Sequence, residues 1–371
     1  MKRMPIIGLK FANTVIDTGF QLFNSGGAVR TGHADIELSN RTTGKNQPVH
    51  SGHKNHTMSK KAKVLIIVQN LPVPFDRRVW LEAQTLQKNG CRVSVISPKS
   101  AQYTKKFECI EGISVYRYEM PLEAKGVFGY FFEFIYAWLA TALLSLRVLL
   151  NEGFDVIQAC NPPDTYFLLA AFYKLFGKKF VFDHHDLSPE MFSAKFSHRH
   201  PVLLKALCVL ERLTIKTADI IISTNESYKK MAVCRGRRSP QDVYVLRTGP
   251  GLTKLKLYAP NPFFRHGKTH LVTYLGEMCS QDGVDYMLSA VDYIVHTLQR
   301  HDIQFVLLGG GPAMPDFAAM SRSMGLDEWV RFTGRVSDEV LSHYLSTSDL
   351  CIAPDPKNSW TDSSTMNKIG R

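Results

Sequence analysis

The stretch Lys63-Val64-Leu65-Ile66-Ile67-Val68, then Gln69-Asn70-Leu71-Pro72-Val73-Pro74-Phe75-Asp76, then Arg77 to Lys88, decides the fold. The apolar run has no polar alternation, so it reads as a strand buried on both faces. A proline-stiffened polar loop follows it. The helix beyond closes at Asn89-Gly90, a glycine-type C-cap. Strand, loop and helix in this order, repeated, build a parallel sheet.

Working outward, the unit recurs. Strands are expected at 92–96, 113–117, 155–159, 179–182, 219–222 and 243–246. Helices are expected at 127–150, 165–176, 201–217 and 226–233. A second alternation starts near His270, with strands at 271–275, 304–308, 330–332 and 350–352. Its helices fall near 283–299, 315–324 and 338–347. The pattern predicts an α/β fold of two Rossmann-like, doubly wound parallel-sheet domains. Residues 1–60, polar and without period, read as a disordered extension. The expected first domain is 61–255, the linker 256–268 and the second domain 269–371.

Composition narrows the partners. Hydrophobic content of 44% and charged content of 21% describe a globular chain. A formal net charge of +12 favours an anionic partner, such as a phosphorylated ligand or an anionic membrane surface. No zinc-finger spacing or basic-aromatic helix occurs, so nucleic acid is not expected. Seven scattered cysteines, without a CxxC pair, suit reduced thiols in a cytoplasmic setting. Between Glu133 and Arg147 the uncharged stretch is about 13 residues. That is below the roughly 20 needed to span a bilayer, so a buried or membrane-apposed helix is expected.

In open parallel sheets, ligands meet the carboxyl ends of the strands. After the first strand, Asn70, Arg77 and Arg78 stand where helix amides and cations can face an anion. The alternative for the arginines is a solvated pair beside Asp76. After another strand comes Cys160-Asn161-Pro162-Pro163-Asp164, in which Asn161 could touch a ligand and Asp164 could cap a helix. The densest titratable cluster is Asp183-His184-His185-Asp186-Leu187-Ser188-Pro189-Glu190. An imidazole there can hydrogen-bond a hydroxyl or move a proton. A structural histidine and a metal ligand are the other two readings. In the second half the loops after the strands carry Gly276, Gly310 and Gly311, where a ligand can approach backbone closely. Hydroxyls at Ser363, Ser364 and Thr365 precede a final helical pattern and suit a diphosphate.

Four loops in this order are familiar: the VPFDRRVWLEA run at Val73–Ala83, CNPPD at Cys160–Asp164, FDHHDLSPE at Phe182–Glu190, and Asp355–Ile369. With them the chain, from Lys63 onward, resembles bacterial glycosyltransferases of family 4, of the GT-B fold. The resemblance implies an acceptor-side first domain and a second domain that binds a nucleotide diphosphate sugar. It implies transfer to a cell-surface polysaccharide or glycolipid acceptor with retained configuration, and neither cofactor nor metal. His185 would contact the transferred sugar, with His184 and Asp186 beside it. Gly334, Arg335 and Val336 match the loop whose backbone reads the base, and Ser364 and Thr365 the turn that meets the diphosphate. Asn70, Arg77, Arg78, Asn161 and Glu190 would fall on the acceptor side. The work would be done in the cytoplasm or at the inner face of the cell membrane.

The sequence departs from that pattern in two places. Glu277 and Asp282 stand where many relatives have a diphosphate-neutralising Arg and Lys. Arg371 ends the sequence where relatives carry a donor-binding glutamate. The expectation is a truncated second domain, with an inactive copy or a non-catalytic carbohydrate- or membrane-binding module as alternatives to a working enzyme. A nucleotide-sugar epimerase of the same fold is a third reading.

Overall fold

A computed structural model describes residues 61–120, 126–196, 200–247 and 256–364, with side chains from residue 132 in the first long helix. The extension expected over 1–60 lies outside the described residues, as do Thr365 and the chain beyond it. Two parallel-type sheets form, as the alternation predicts. The first has eight strands in the order β3 (Phe107–Ile110), β4 (Ile113–Tyr118), β2 (Arg92–Pro98), β1 (Lys63–Ile67), β5 (Val156–Cys160), β6 (Lys179–His184), β7 (Ile220–Ser223) and β8 (Val243–Val245). The second has four in the order β11 (Val330–Gly334), β10 (Ile303–Leu308), β9 (His270–Leu275) and β12 (Leu350–Ile352).

By packing, the chain divides into two compact units. The first runs to Ala159 and takes in Phe172–Phe180; the second comprises Cys160–Ala171 and everything from Val181 onward.

The first unit holds β1 (Lys63–Ile67), β2 (Arg92–Pro98), β3 (Phe107–Ile110), β4 (Ile113–Tyr118) and most of β5 (Val156–Cys160). Its core is the continuous apolar run the sequence shows: Leu65, Ile66 and Ile67 are fully buried. Helix α1 (Arg77–Lys88) has the predicted limits, and the Asp76 side chain accepts from Val79 N at 3.1 Å to cap it. Helix α2 (Gly126–Asn151) packs on β1, β2 and β4. Its buried seam is Ala137, Thr141, Ser145 and Val148, small residues one turn apart. Among the described side chains, the other faces of α2 expose a largely apolar surface, with Leu143 69% and Leu150 83% accessible and Arg147 an exposed charge among them.

Strand β3 was not expected. It pairs antiparallel with β4 through Glu111 and Gly112, both at positive φ (49° and 79°). Such a two-residue turn usually advertises itself as Asn-Gly or Asp-Gly, and Glu-Gly does not.

The second unit holds β7 (Ile220–Ser223), β8 (Val243–Val245) and most of β6 (Lys179–His184), with α5 (Pro201–Thr217) and α6 (Glu226–Gly236). It also carries α4 (Ser188–Phe196), absent from the sequence reading. The proline at Pro189 looks like loop chemistry, but it sits in the first turn of a helix, where proline is tolerated. Helix α3 (Phe167–Lys174) straddles the division between units.

The four-stranded sheet comprises β9 (His270–Leu275), β10 (Ile303–Leu308), β11 (Val330–Gly334) and β12 (Leu350–Ile352), all paired parallel. Helices α7 (Val284–Asp292), α8 (Met314–Ser323) and α9 (Asp338–Thr347) connect them. The helix expected over 283–299 changes after Asp292 to a π-helical turn, Tyr293–Thr297. The two faces of this sheet bury separate apolar clusters, one around Tyr274, Leu288 and Phe305, the other around Leu271, Val306 and Leu341.

Candidate active site

The site is built from the ends of β5 and β6 upward. Asn161, 1% exposed, is the tie between them. Its Oδ1 accepts from the backbone N of His185 (2.7 Å) and of Asp186 (3.2 Å). Its Nδ2 donates to Asp186 O (2.7 Å) and to Asp164 Oδ1 (3.1 Å). The backbone of the turn after β6 is thereby fixed. The turn brings the ring of His185 back over Asp183, and Nε2 lies 2.8 Å from Asp183 Oδ2. Asp183 is fully buried, whereas the His185 side chain keeps 15% exposure. A buried carboxylate of this kind fixes which ring nitrogen carries the proton.

His184 points the other way, as neighbours on a strand must. It is fully buried, stacked on Phe182 at 5.2 Å between centroids and tilted against Tyr228 at 5.5 Å. Its Nε2 lies 3.5 Å from Glu211 Oε1. Glu211, itself 1% exposed, accepts from Arg235 Nη1 at 2.6 Å. The other side of the Arg235 guanidinium holds Glu190. Burial works against the Arg235 charge, but the two carboxylates outweigh it and raise its pKa. For Glu211 burial pushes upward, and His184 and Arg235 together bring the pKa below the usual value. For Asp164 burial outweighs the lowering contributions of Ser188, His184 and Asn161 and pushes it up to about 6.

One step further out, Asn225 caps α6 by accepting from Tyr228 N at 2.8 Å. Its Nδ2 donates to Ser363 O at 3.0 Å, and the Tyr228 hydroxyl meets Ser364 Oγ at 2.9 Å. Burial first, then the Asp186 charge, pushes the Tyr228 phenol up to about 12, so it stays neutral. Asn225 and Tyr228 were missed by sequence reasoning; only the N-cap pattern around Asn225 marked them, and that pattern is structural.

The glycines of the second sheet come together at the carboxyl ends of β9, β10 and β11. Gly276 N donates to Leu308 O at 3.1 Å, and Gly309 N to Gly334 O at 2.9 Å. A Cβ on Gly309 would sit 1.9 Å from Gly276 O, and one on Gly311 2.4 Å from Met278 O. Both have positive φ, 130° and 149°, so no other residue fits without displacement. Gly310 lies against the Arg335 side chain, 3.8 Å from a Cβ position to Cγ, and Arg335 is exposed. Val336 packs on the cluster around Leu271. Of the predicted donor residues, this loop set joins Gly276, Gly310, Gly311, Gly334 and Arg335; Ser363 and Ser364 join Asn225 and Tyr228 instead.

Of the residues expected on the acceptor side, Asn70, Arg77 and Arg78 belong to the first unit and Asn161 and Glu190 to the second. Asn70 and Arg77 are exposed. Arg78 Nε pairs with buried Glu82 at 3.2 Å, and Glu82 in turn accepts from Gln158 at 2.7 Å. Glu190 is engaged with Arg235, and Asn161 serves the turn after β6.

Residues 76–250 match the family model described as Glycosyltransferase Family 4, and residues 269–362 the one described as Glycosyl transferases group 1. The α-D-kanosaminyltransferase of Streptomyces kanamyceticus is 33% identical over 84 residues, 23% of this chain and 21% of that protein. The phosphatidyl-myo-inositol mannosyltransferase of Propionibacterium freudenreichii subsp. shermanii is 26% identical over 213 residues, 57% of this chain and 49% of that protein. The chain thus spans half or less of the length of these two relatives. Among solved structures, sucrose-phosphate synthase from Thermosynechococcus elongatus superposes with a TM-score of 0.58 at 16% identity, over 80% of this chain and 76% of that one. WaaG, a glycosyltransferase of lipopolysaccharide biosynthesis, gives 0.56 at 18% identity, over 79% and 75%. HepE of Anabaena, solved with UDP and glucose, gives 0.53 at 14%, over 78% and 73%. At these identities the structures speak for the fold alone. By its two successive domain matches, the chain belongs to the glycosyltransferases of family 4 type, with the GT-B fold.

Proposed function

We propose that this chain transfers a glycosyl group, with retained configuration, from a nucleoside diphosphate sugar to a glycan or lipid-linked acceptor. The observation that carries the reading is the His185 ring. It is held by Asn161 through the backbone and by Asp183 through Nε2, and it is the member of the His184–His185 pair that keeps exposure. In this reading the exposed edge of the His185 ring hydrogen-bonds the transferred sugar. His184, buried on Glu211, and Asp186, whose backbone Asn161 grips, act as positioning residues. The leaving diphosphate gathers negative charge, which backbone amides around Gly310, Gly311, Ser363, Ser364 and Thr365 would stabilise, with Gly276 giving room. Gly334, Arg335 and Val336 would hold the base. No cofactor or metal is needed for this chemistry.

The acceptor side is read as a membrane surface. Helix α2 rests on its sheet through a narrow seam of small residues and turns Phe132, Leu139 and Leu143 outward, with Arg147 exposed among them. Phe132–Asn151 is long and apolar enough to cross a membrane, at a mean hydropathy of 1.6. Packing of the Ala137–Val148 seam favours a helix lying in an anionic interface rather than spanning it. All seven cysteines are free thiols, which suits a chain working at the cytoplasmic side.

The test is release of nucleoside diphosphate from a panel of UDP-, GDP-, ADP- and dTDP-sugars, with and without lipid-linked acceptors. Turnover with at least one donor is expected, and His185→Ala should reduce it by about 10²–10³-fold at unchanged thermal stability. Absence of turnover with every donor would support the non-catalytic module instead.

A further inference from the structure

A second use of the His185 corner lies in what surrounds it. Cys160 ends β5, and its Sγ lies 3.8 Å from Asp183 Oδ2, on the same carboxylate oxygen that meets His185 Nε2 at 2.8 Å. The three atoms, Cys160 Sγ, Asp183 Oδ2 and His185 Nε2, all fall within 4.8 Å of one another. Cys160 and Asp183 are buried, and His185 is the open side.

We propose that Cys160, Asp183 and His185 form a three-ligand Zn²⁺ site, and that metal there displaces the His185 ring and reverses which of its nitrogens carries the proton, which disturbs its contact with the sugar. Bonds of about 2.0–2.3 Å in a tetrahedron put ligand atoms roughly 3.3–3.8 Å apart. The sulfur–oxygen separation already has that value. The nitrogen–oxygen pair must open by about half an ångström on that scale, and the partly exposed ring is the member with room to move. One thiolate, one imidazole and one carboxylate are the donor set that a borderline-soft cation prefers over Mg²⁺ or Mn²⁺. Charge balances as well: thiolate and carboxylate neutralise the dication, so little net charge enters a buried place. On binding, Cys160 loses its proton to solvent. The imidazole proton passes from Nε2 to Nδ1, so the ring ligates as the neutral form. One proton is released per metal ion, and a water takes the fourth position. Asn161 holds the turn in both states, which keeps the three donors converged before metal arrives.

Metal binding stands without the transferase reading; only the inhibition rests on it. The direct probe is Co²⁺ titrated into the full-length chain, read by its thiolate charge-transfer absorption. One equivalent with that band is expected, displaced by Zn²⁺ and untouched by Mg²⁺. Cys160→Ser should abolish the band and weaken binding by at least about tenfold, as loss of a direct ligand should. Cys109→Ser and Cys234→Ser, at exposed thiols, should leave it intact. Asp183→Asn should shift the band or weaken binding, with circular dichroism confirming the fold. A band that persists in Cys160→Ser, or no cobalt–thiolate band at all, overturns the site. In turnover, Zn²⁺ should inhibit the wild type and spare Cys160→Ser. Equal inhibition of both removes the regulatory part, and a chain with no turnover still reports the metal through its band.

Discussion

At the residue scale the site rests on charges buried in company. Arg235 holds Glu211 and Glu190 together beneath His184. Arg235→Met leaves the 1%-exposed Glu211 without its cation, and breaking a buried pair in this way costs about 3–5 kcal/mol. Urea denaturation should show that loss, and Glu211→Gln in the same chain should recover part of it. Asp164 runs in the opposite sense. Its folded-state pKa of about 6 stands above the ordinary 3.8. The native state therefore keeps a proton that the unfolded chain gives up across that window. Stability from this group is complete below the ordinary value and is lost as pH rises through about 6, a difference of about 3 kcal/mol. Asp164→Asn should flatten the decline in urea midpoint between about pH 4 and about pH 7; an unchanged slope would refute the assignment. The place of the His184–His185 pair at the end of β6 was legible in the sequence, because a polar pair after an apolar run is conspicuous. That Asp183 faces His185 while Glu211 faces His184 was not, since the partner of His184 comes from a helix more than twenty residues away.

Elements were legible in proportion to their regularity. Helix α1 and α9 have the limits expected from cap and period, because Asp76 and Ser337 make the side-chain caps their positions imply. Strand β3 and helix α4 were not, one hidden behind a Glu-Gly turn and the other behind Pro189. The glycine loop after β10 is the element on which donor binding would turn. Its positions are steric as well as conformational, since Gly309 has a carbonyl 1.9 Å from where Cβ would be. Gly309→Ala should cost about 1–3 kcal/mol from backbone conformation alone. It should also lower affinity for nucleoside diphosphate in calorimetry, whereas Gly177→Ala, at a positive-φ turn open to solvent on β6's approach, should leave that affinity unchanged.

At the scale of the whole molecule, net charge and exposed apolar area work together. With +12 formal charges and an apolar outer face on α2, the chain should co-sediment with vesicles containing anionic lipid. Binding should weaken as salt rises, since surface attraction fades within a Debye length of about 8–10 Å. Leu139→Glu with Leu143→Glu should abolish it while leaving the fold intact, because neither side chain belongs to the buried seam. Retained binding in that variant would remove the surface from the account. Asn161 carries a consequence of another kind. A single carboxamide spans two strand ends, so the aim of the imidazole is inherited from where β5 stops. Adding or deleting one residue in Asn161-Pro162-Pro163-Asp164 would swing the ring without altering the ring itself, which on the proposed transferase reading makes this short loop the first dial an engineer should turn to redirect sugar choice.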